Sequence, residues 1–575
     1  MSVQFVSRLP RAYYAASIGV FLEESAESVL GKLTANSEGA VEPEQRDAWL
    51  RRNEILRRAC AGIEGTLFLE FNIPRMGRRI DAVVLTRQMI FVIEFKVGET
   101  AHIPEDIEQV WDYTLDLKNF HEGSHHAAIL PILVATEAPL SDERLPDRHQ
   151  DLVRLPMRTN AEGLRTALLL GLAAPAEGRL DVDAWASTPY HPTPTIIEAA
   201  RSLYAQHSVE AISRNDAGAR NLAVTSRRIE DLVDQARQEG HKVICLVTGV
   251  PGAGKTLVGL NVATRRRDAA APTHAVFLSG NGPLVAVLRE ALTRDEVQRR
   301  KRLGEKVRKG AVGESVKAFI QNVHHFRDEA LRDTRPPIDH VVIFDEAQRA
   351  WNLDQTAKFM RTKKKQPGFS MSEPEFLLSY LDRHSDWAFV VCLVGGGQEI
   401  NTGQAGIGAW LDAVRTAFPS WWIYISPELT DSEYAAGHAI DQVRALPNLR
   451  FDDALHLAVS MRSFRAENVS GFVKAVLDCE VDQARRAFEQ LRDKYPIRLT
   501  RDLGQARRWI RRHARGSERF GLVASSEAQR LKPHAIDVRA NIDPVLWFLN
   551  GRDDTRSSYY LEDAATEFQV LLSRT

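Results

Sequence analysis

The segment VICLVTGVPGAGKT, residues 243 to 256, constrains this chain more than any other, because an apolar run feeds straight into a Gly-x-x-x-x-Gly-Lys-Thr turn. An apolar strand, that turn and then the helix-like LVGLNVATRRR form the layout of a phosphate-binding loop on a parallel sheet. Gly249, Gly252 and Gly254 let the backbone curl until successive N–H groups face phosphate oxygens, with Val250, Pro251 and Ala253 between them. Lys255 is then expected to reach the β and γ oxygens of a nucleoside triphosphate such as ATP. Thr256 offers its hydroxyl to magnesium where the following helix begins and its dipole favours negative charge.

At 575 residues the chain is too long for one core, and about three or four domains are expected. Hydrophobic residues at 44% and charged residues at 26% exclude overall disorder. The net charge of -1 means that any nucleic-acid-binding face must be local. The start MSVQFVSRLPRAYYAASIGVF lacks the uninterrupted apolar stretch of a signal peptide, and no run approaches bilayer length, so no membrane association and a cytoplasmic location are expected. Cys60, Cys245, Cys392 and Cys479 are far apart and read as reduced core residues.

The fold class expected is α/β. Residues 1–200 carry the strand-like runs TLFLEF, RIDAVVL, MIFVIEF and AILPILVAT with a long amphipathic helix near 105 to 120, one α/β domain containing an antiparallel hairpin. In residues 201–425 the apolar strands KVICLVT, AVFLSG, HVVIFDEA and WAFVVCLVGGG alternate with helices, the pattern of a parallel sheet covered on both faces. Residues 426–575 form a further unit with strand candidates PIRLT and FGLVASS.

HVVIFDEAQRAWN ends four apolar residues in Asp345 and Glu346. A carboxylate at the end of a buried strand holds magnesium, here Asp345, and Glu346 orients or deprotonates an attacking water. The DEAQ form resembles superfamily 1 and 2 helicases, in which the Gln348 position couples nucleotide to movement of nucleic acid. VCLVGGGQEINTGQAGI resembles motif III, with Gln398 as γ-phosphate sensor, and AVFLSGNGPLVAVLREAL resembles motif Ia. LHLAVSMRSFRAENV resembles motif IV, with Arg462 matching an arginine that reaches the γ-phosphate; spacing alone fits a surface arginine on a helix equally.

With YYLEDAATEFQ added, the order and wording of these motifs resemble the Schlafen-type (group 3) DNA/RNA helicase domain over roughly residues 205 to 575. The resemblance implies two RecA-like lobes, ATP and Mg2+ as cofactors and DNA or RNA as partner. One departure stands out: ATEFQV runs straight into LLSRT, where the family continues to motifs V and VI. Either part of the second lobe is missing or Arg574 is a remnant of motif VI, so nucleotide binding is expected and coupled unwinding is left open.

A second centre is expected in RRIDAVVLTRQMIFVIEFK, where Asp81 sits on one strand and Glu94 and Lys96 on the next. Glu94 and Lys96, two apart, project from one face and converge with Asp81 on a metal ion. Gln109 and Tyr113 lie one helical turn apart downstream. The set resembles a PD-(D/E)xK nuclease with its Q-x-x-x-Y helix, and an upstream acid, Glu54 or Glu64, completes the metal site.

Trp509, among arginines in ARRWIRRHARGSER, reads as buried on the inner face of its helix, and His121, His125, His126, His324 and His325 as surface or capping residues. The function expected is an ATP-dependent nucleic-acid enzyme, a helicase-like motor joined to a metal-dependent nuclease. The alternative is a nucleotide-gated nucleic-acid-binding module or sensor with one or both active sites inactive. Oligomeric state is not legible.

Overall fold

The computed structural model describes residues 11–570 apart from 38–40, 74–77, 141–143, 177, 179, 189–194, 206–216, 251, 269, 396–405, 431–436, 459–463, 493–496 and 517. The chain is a mixed α/β protein of two compact units, Met1–Thr193 with Ser463–Arg519, and Pro194–Arg462 with Phe520–Thr575. Among the described residues no helix is long and apolar enough to cross a membrane.

The first unit holds a six-stranded sheet in sequence order: β1 (Ala12–Ser17), β2 (Thr66–Ile73), β3 (Arg78–Leu85), β4 (Ile90–Lys96), β5 (Ile129–Ala135) and β6 (Met157–Thr159). The first four strands pair antiparallel and the last two join parallel. Alternate residues feed two cores. Leu69, Ala82, Ile93 and Ile132 pack with Leu56 of the helix Pro43–Cys60 on one face, and Val83, Val92 and Leu133 pack with Val110 and Leu117 of the helix Pro104–Phe120 on the other. The hairpin expected between β3 and β4 is present, closed by Thr86 and Met89.

At Glu70 the alternation breaks. Its φ of 52° lies in the left-handed region, and Phe68 and Phe71, three apart, both pack into the same core while the pairing with β3 keeps one register. That irregularity in β2 turns a carboxylate into an otherwise apolar strand.

The second unit is built on a parallel sheet: β7 (Lys242–Gly249), β8 (Ala275–Ser279), β9 (Ile320–Asn322), β10 (Val341–Asp345), β11 (Ala388–Leu393), β12 (Trp422–Ile425), β13 (Leu449–Phe451) and β14 (His456–Leu457). The spatial order is β13-β12-β7-β11-β10-β8-β9, with β14 joined to the end of β7. Every residue of β8, β10 and β11 is buried, which is why these strands read as unbroken apolar runs. The helix Lys255–Arg265 packs on one face through Val258 and Val262, and the helix Gly408–Ala417 on the other through Trp410 and Leu411.

Beyond residue 520 a two-stranded parallel pair, β15 (Leu522–Ala524) and β16 (Ala564–Thr566), completes the unit. Of the two strand candidates there, FGLVASS yields β15. In PIRLT the described residues 497–500 form no strand, and Leu499 is fully exposed.

Candidate functional site

In the second unit the carboxyl end of β7 turns into the helix Lys255–Arg265 through Gly252 at φ 78° and Gly254 at φ 88°. Both values lie where side chains are strained, so the turn needs glycine. Gly249 meets a different demand: a Cβ there would sit 2.7 Å from Cβ of Leu457, because β14 runs against the tip of β7. Val250 N–H donates to the Leu457 carbonyl at 3.1 Å, and Ala253 N–H to the Val250 carbonyl at 3.0 Å. Pro251 lies outside the described residues.

Lys255 Nζ donates to the carbonyls of Gly249 at 2.7 Å and Val250 at 3.3 Å, folding the cation back over its own loop. Thr256 Oγ1 donates to Asp345 Oδ1 at 3.0 Å. Thus two segments about ninety residues apart in the chain meet in one bond. Burial, and then the neighbouring Glu346 charge, push the Asp345 carboxyl up to about 7. A buried carboxyl raised in this way suits the exchange of its proton for a cation.

Glu346 has φ 54°, a strained conformation for a residue with a side chain. Its Oε2 accepts from Gln348 Nε2 at 2.6 Å and lies 3.3 Å from Arg349 Nε. Gln348, buried, uses its Oε1 to accept the N–H of Gly395 at 3.0 Å, just past β11. One amide therefore links the acid after β10 to the segment leading into residues 396–405. Gln398 and Arg462 both lie outside the described residues. A cavity of about 440 Å³ opens over Thr256, Asp345 and Glu346 and is also lined by Asn281, Trp351 and Gln569. That volume suits a small-molecule or nucleotide-sized ligand.

In the first unit, the register Ala82 opposite Ile93, continued by one residue, sets Asp81 opposite Glu94 on neighbouring strands. Asp81 Oδ2 accepts the Phe95 N–H at 2.8 Å. Gln109 joins the rest: its Nε2 donates to Glu94 Oε1 at 2.7 Å and to Tyr113 Oη at 2.9 Å, and its Oε1 accepts from Lys96 Nζ at 2.8 Å. Lys96 also lies 3.7 Å from Glu94 and 3.2 Å from Asp106. The structure therefore brings Asp81, Glu94, Lys96, Gln109 and Tyr113 into one cluster.

Glu94 Oε2 is buried and has no hydrogen-bond partner among the described residues. Burial and the Asp81 charge hold the Glu94 carboxyl well above its usual range, and burial raises Asp81 to about 6. Two raised carboxyls side by side with an unpartnered oxygen fit a divalent cation, which removes the repulsion that raises them.

Glu54 is not brought to this cluster. It is exposed on the helix Pro43–Cys60, while Arg52, two residues earlier and pointing the other way, is buried 3.8 Å from Asp81. Glu64 is exposed as well. The acid that does arrive is Glu70, which pairs with Arg52 at 2.5 Å and Arg79 at 3.3 Å and accepts from Trp49 Nε1 at 2.8 Å. Glu70, Arg52 and Asp106 have no motif, and only the positive φ at Glu70 marks the place.

Three smaller expectations change. Cys60, Cys245 and Cys392 are buried free thiols, but Cys479 is exposed, in the turn after the helix Phe464–Leu477. Trp509 is half-buried and stacks on His513 at 4.5 Å, on a helix with no buried residue. His121 is fully buried against Trp185, with Ser124 and Thr188 on its two ring nitrogens.

The family model described as Schlafen group 3, DNA/RNA helicase domain matches residues 242–570. No curated protein matches the chain.

Proposed function

The chain belongs to the Schlafen group 3 DNA/RNA helicase domain family, a family of helicase-like, nucleic-acid-processing proteins, and on that premise we propose that it couples ATP turnover to work on nucleic acid and cleaves nucleic acid at a second, metal-dependent centre. The observation that carries the first half is the Thr256–Asp345 bond beneath the glycine turn. Lys255 leaves its loop carbonyls for the β and γ oxygens of the nucleotide, and the loop N–H groups and the helix start take the remaining phosphate charge. Glu346 orients the attacking water. Gln348, bonded to both Glu346 and Gly395, passes the state of the phosphate to the segment that carries Gln398.

The cluster on β3 and β4 supports the second half. Lys96 and Gln109 position a phosphodiester beside Asp81 and Glu94, with Tyr113 fixing the amide of Gln109. Magnesium, when bound, supplies the charge that polarises a phosphate oxygen at either centre; holding it falls to Thr256 and Asp345 in one unit and to Asp81 and Glu94 in the other.

The test is a panel of labelled single- and double-stranded DNA and RNA incubated with the purified chain and magnesium, with and without ATP. Cleavage lost in Glu94→Gln and Lys96→Ala but retained in Lys255→Ala supports the reading. Binding without cleavage in the wild-type chain would leave the nucleotide-gated binding module as the function and remove the nuclease.

A further inference from the structure

Three metal-ligating side chains that belong to neither centre meet at the amino ends of β10 and β11. His340 directly precedes β10, Asp386 lies two residues before β11, and His384 follows the helix Glu373–Leu381. In this parallel sheet the phosphate loop leaves the carboxyl end of β7, so the group lies at the opposite end of the same sheet. His340 Nε2 is 3.3 Å from Asp386 Oδ1, and the two imidazole rings stand 3.8 Å apart between centroids. One ligand atom from each of the three lies within 4.8 Å of the others.

The spacing has a chemical meaning. A tetrahedral zinc-class ion with bonds of about 2.0–2.2 Å places its ligand atoms roughly 3.3 Å apart. The His340–Asp386 pair already has that separation, and rotation of the buried His384 ring brings in the third atom. The rings are also oriented as second partners orient ligating histidines: His384 Nε2 lies 3.4 Å from the Asp339 carbonyl, and Trp387 stacks on His340 at 4.8 Å. Lys242 does not compete, since its Nζ is bonded to the carbonyl and carboxylate of Asp382.

We propose that His340, His384 and Asp386 bind one divalent ion of the zinc class, with water as the fourth ligand. Two imidazoles and one carboxylate select zinc, cobalt or nickel over magnesium and calcium. The exposed side of Asp386, 59% accessible, is where ion and water enter. The ion acts as a clamp: it ties the turn before β11 to the start of β10, where the Phe389 N–H already donates to the His340 carbonyl at 2.7 Å.

The chain, stripped by a chelator and returned to excess magnesium so that the carboxylate centres are occupied, is titrated with cobalt. One equivalent should give the visible absorption of four-coordinate cobalt, be displaced by zinc and raise the unfolding temperature. His340→Gln and Asp386→Asn should each weaken cobalt binding at least tenfold and leave the metal-free unfolding temperature unchanged. Asp386 is exposed, so its variant answers alone if His340→Gln folds poorly. A wild-type chain with no saturable cobalt spectrum, or a spectrum that persists unchanged in Asp386→Asn, overturns the proposal.

Discussion

Asp345→Asn separates charge from shape at the phosphate loop. Asp345 is 7% exposed, accepts from Thr256 at 3.0 Å and is raised from 3.8 to about 7, first by burial and then by Glu346. Asparagine keeps the outline and the acceptor for Thr256 but has no charge to bury. The folded chain, free of metal, keeps a proton on Asp345 where the unfolded chain has released it. Its stability therefore falls as pH rises through the interval from about 4 to 7, and the asparagine variant escapes that loss. At about 1.36 kcal/mol per tenfold change, the variant's advantage should grow by about 2 kcal/mol between about pH 5.5 and about pH 8. In a unit of this size that is several degrees of unfolding temperature. Calorimetry in EDTA at the two pH values reads it. With magnesium and ATP present the sign reverses, because only the wild-type carboxylate holds the ion. A variant less stable than wild type by the same margin at both pH values would refute the reasoning, since Asp345 would then be ionised and satisfied without metal.

Other expectations test other parts of the account. Cleavage and divalent-ion binding should rise as pH climbs through about 6 and above, where Asp81 and Glu94 give up their protons, and more magnesium should move the midpoint to lower pH; a flat profile from about pH 5.5 to 8.5 contradicts this. Gln109→Ala removes the amide that joins Glu94, Lys96 and Tyr113 and should lower cleavage roughly 10- to 100-fold, read by single-turnover kinetics, with the unfolding midpoint nearly unchanged. Gly259→Ala puts a methyl 2.7 Å from Leu393 and 3.0 Å from Ile343, overpacking the helix against the sheet at a cost of about 1–3 kcal/mol in urea unfolding. Arg327→Met strands the buried Glu373 carboxylate and should cost about 3–5 kcal/mol, most of it recovered when Glu373→Gln is added.

How much of this was legible before any coordinates depends on how local each signal is. The glycine turn, Lys255 and Thr256 are contiguous, and Asp345 ends an apolar run, so their order in the chain already points to a strand-end cluster, which the Thr256–Asp345 bond brings together. Asp81, Glu94 and Lys96 were legible because a two-stranded register carries period-two information across a short turn. Glu70 and Arg52 were not, because the left-handed backbone at Glu70 and the rotation of the helix Pro43–Cys60 bring them in, and neither leaves a pattern in the chain. The same rotation sends Glu54 outward. The bond from Gln348 to Gly395, and the packing of Leu457 on Gly249, are pairings between distant strands that spacing cannot reveal. Trp509 differs for a related reason: an aromatic side chain on an amphipathic helix shows a face, and only tertiary packing decides whether anything covers it, whereas Cys479 lies in the turn after the helix Phe464–Leu477, where no periodicity applies.

The central claim is that the glycine turn with Lys255 and Asp345 turns over ATP in response to nucleic acid. Steady-state phosphate release by the purified chain tests it most directly, measured with and without single-stranded nucleic acid and with Lys255→Ala alongside. The account predicts magnesium-dependent release, raised several-fold by nucleic acid and abolished in Lys255→Ala. Release that is the same in Lys255→Ala as in the wild-type chain, or a wild-type chain that binds nucleic acid yet never hydrolyses ATP, would contradict it.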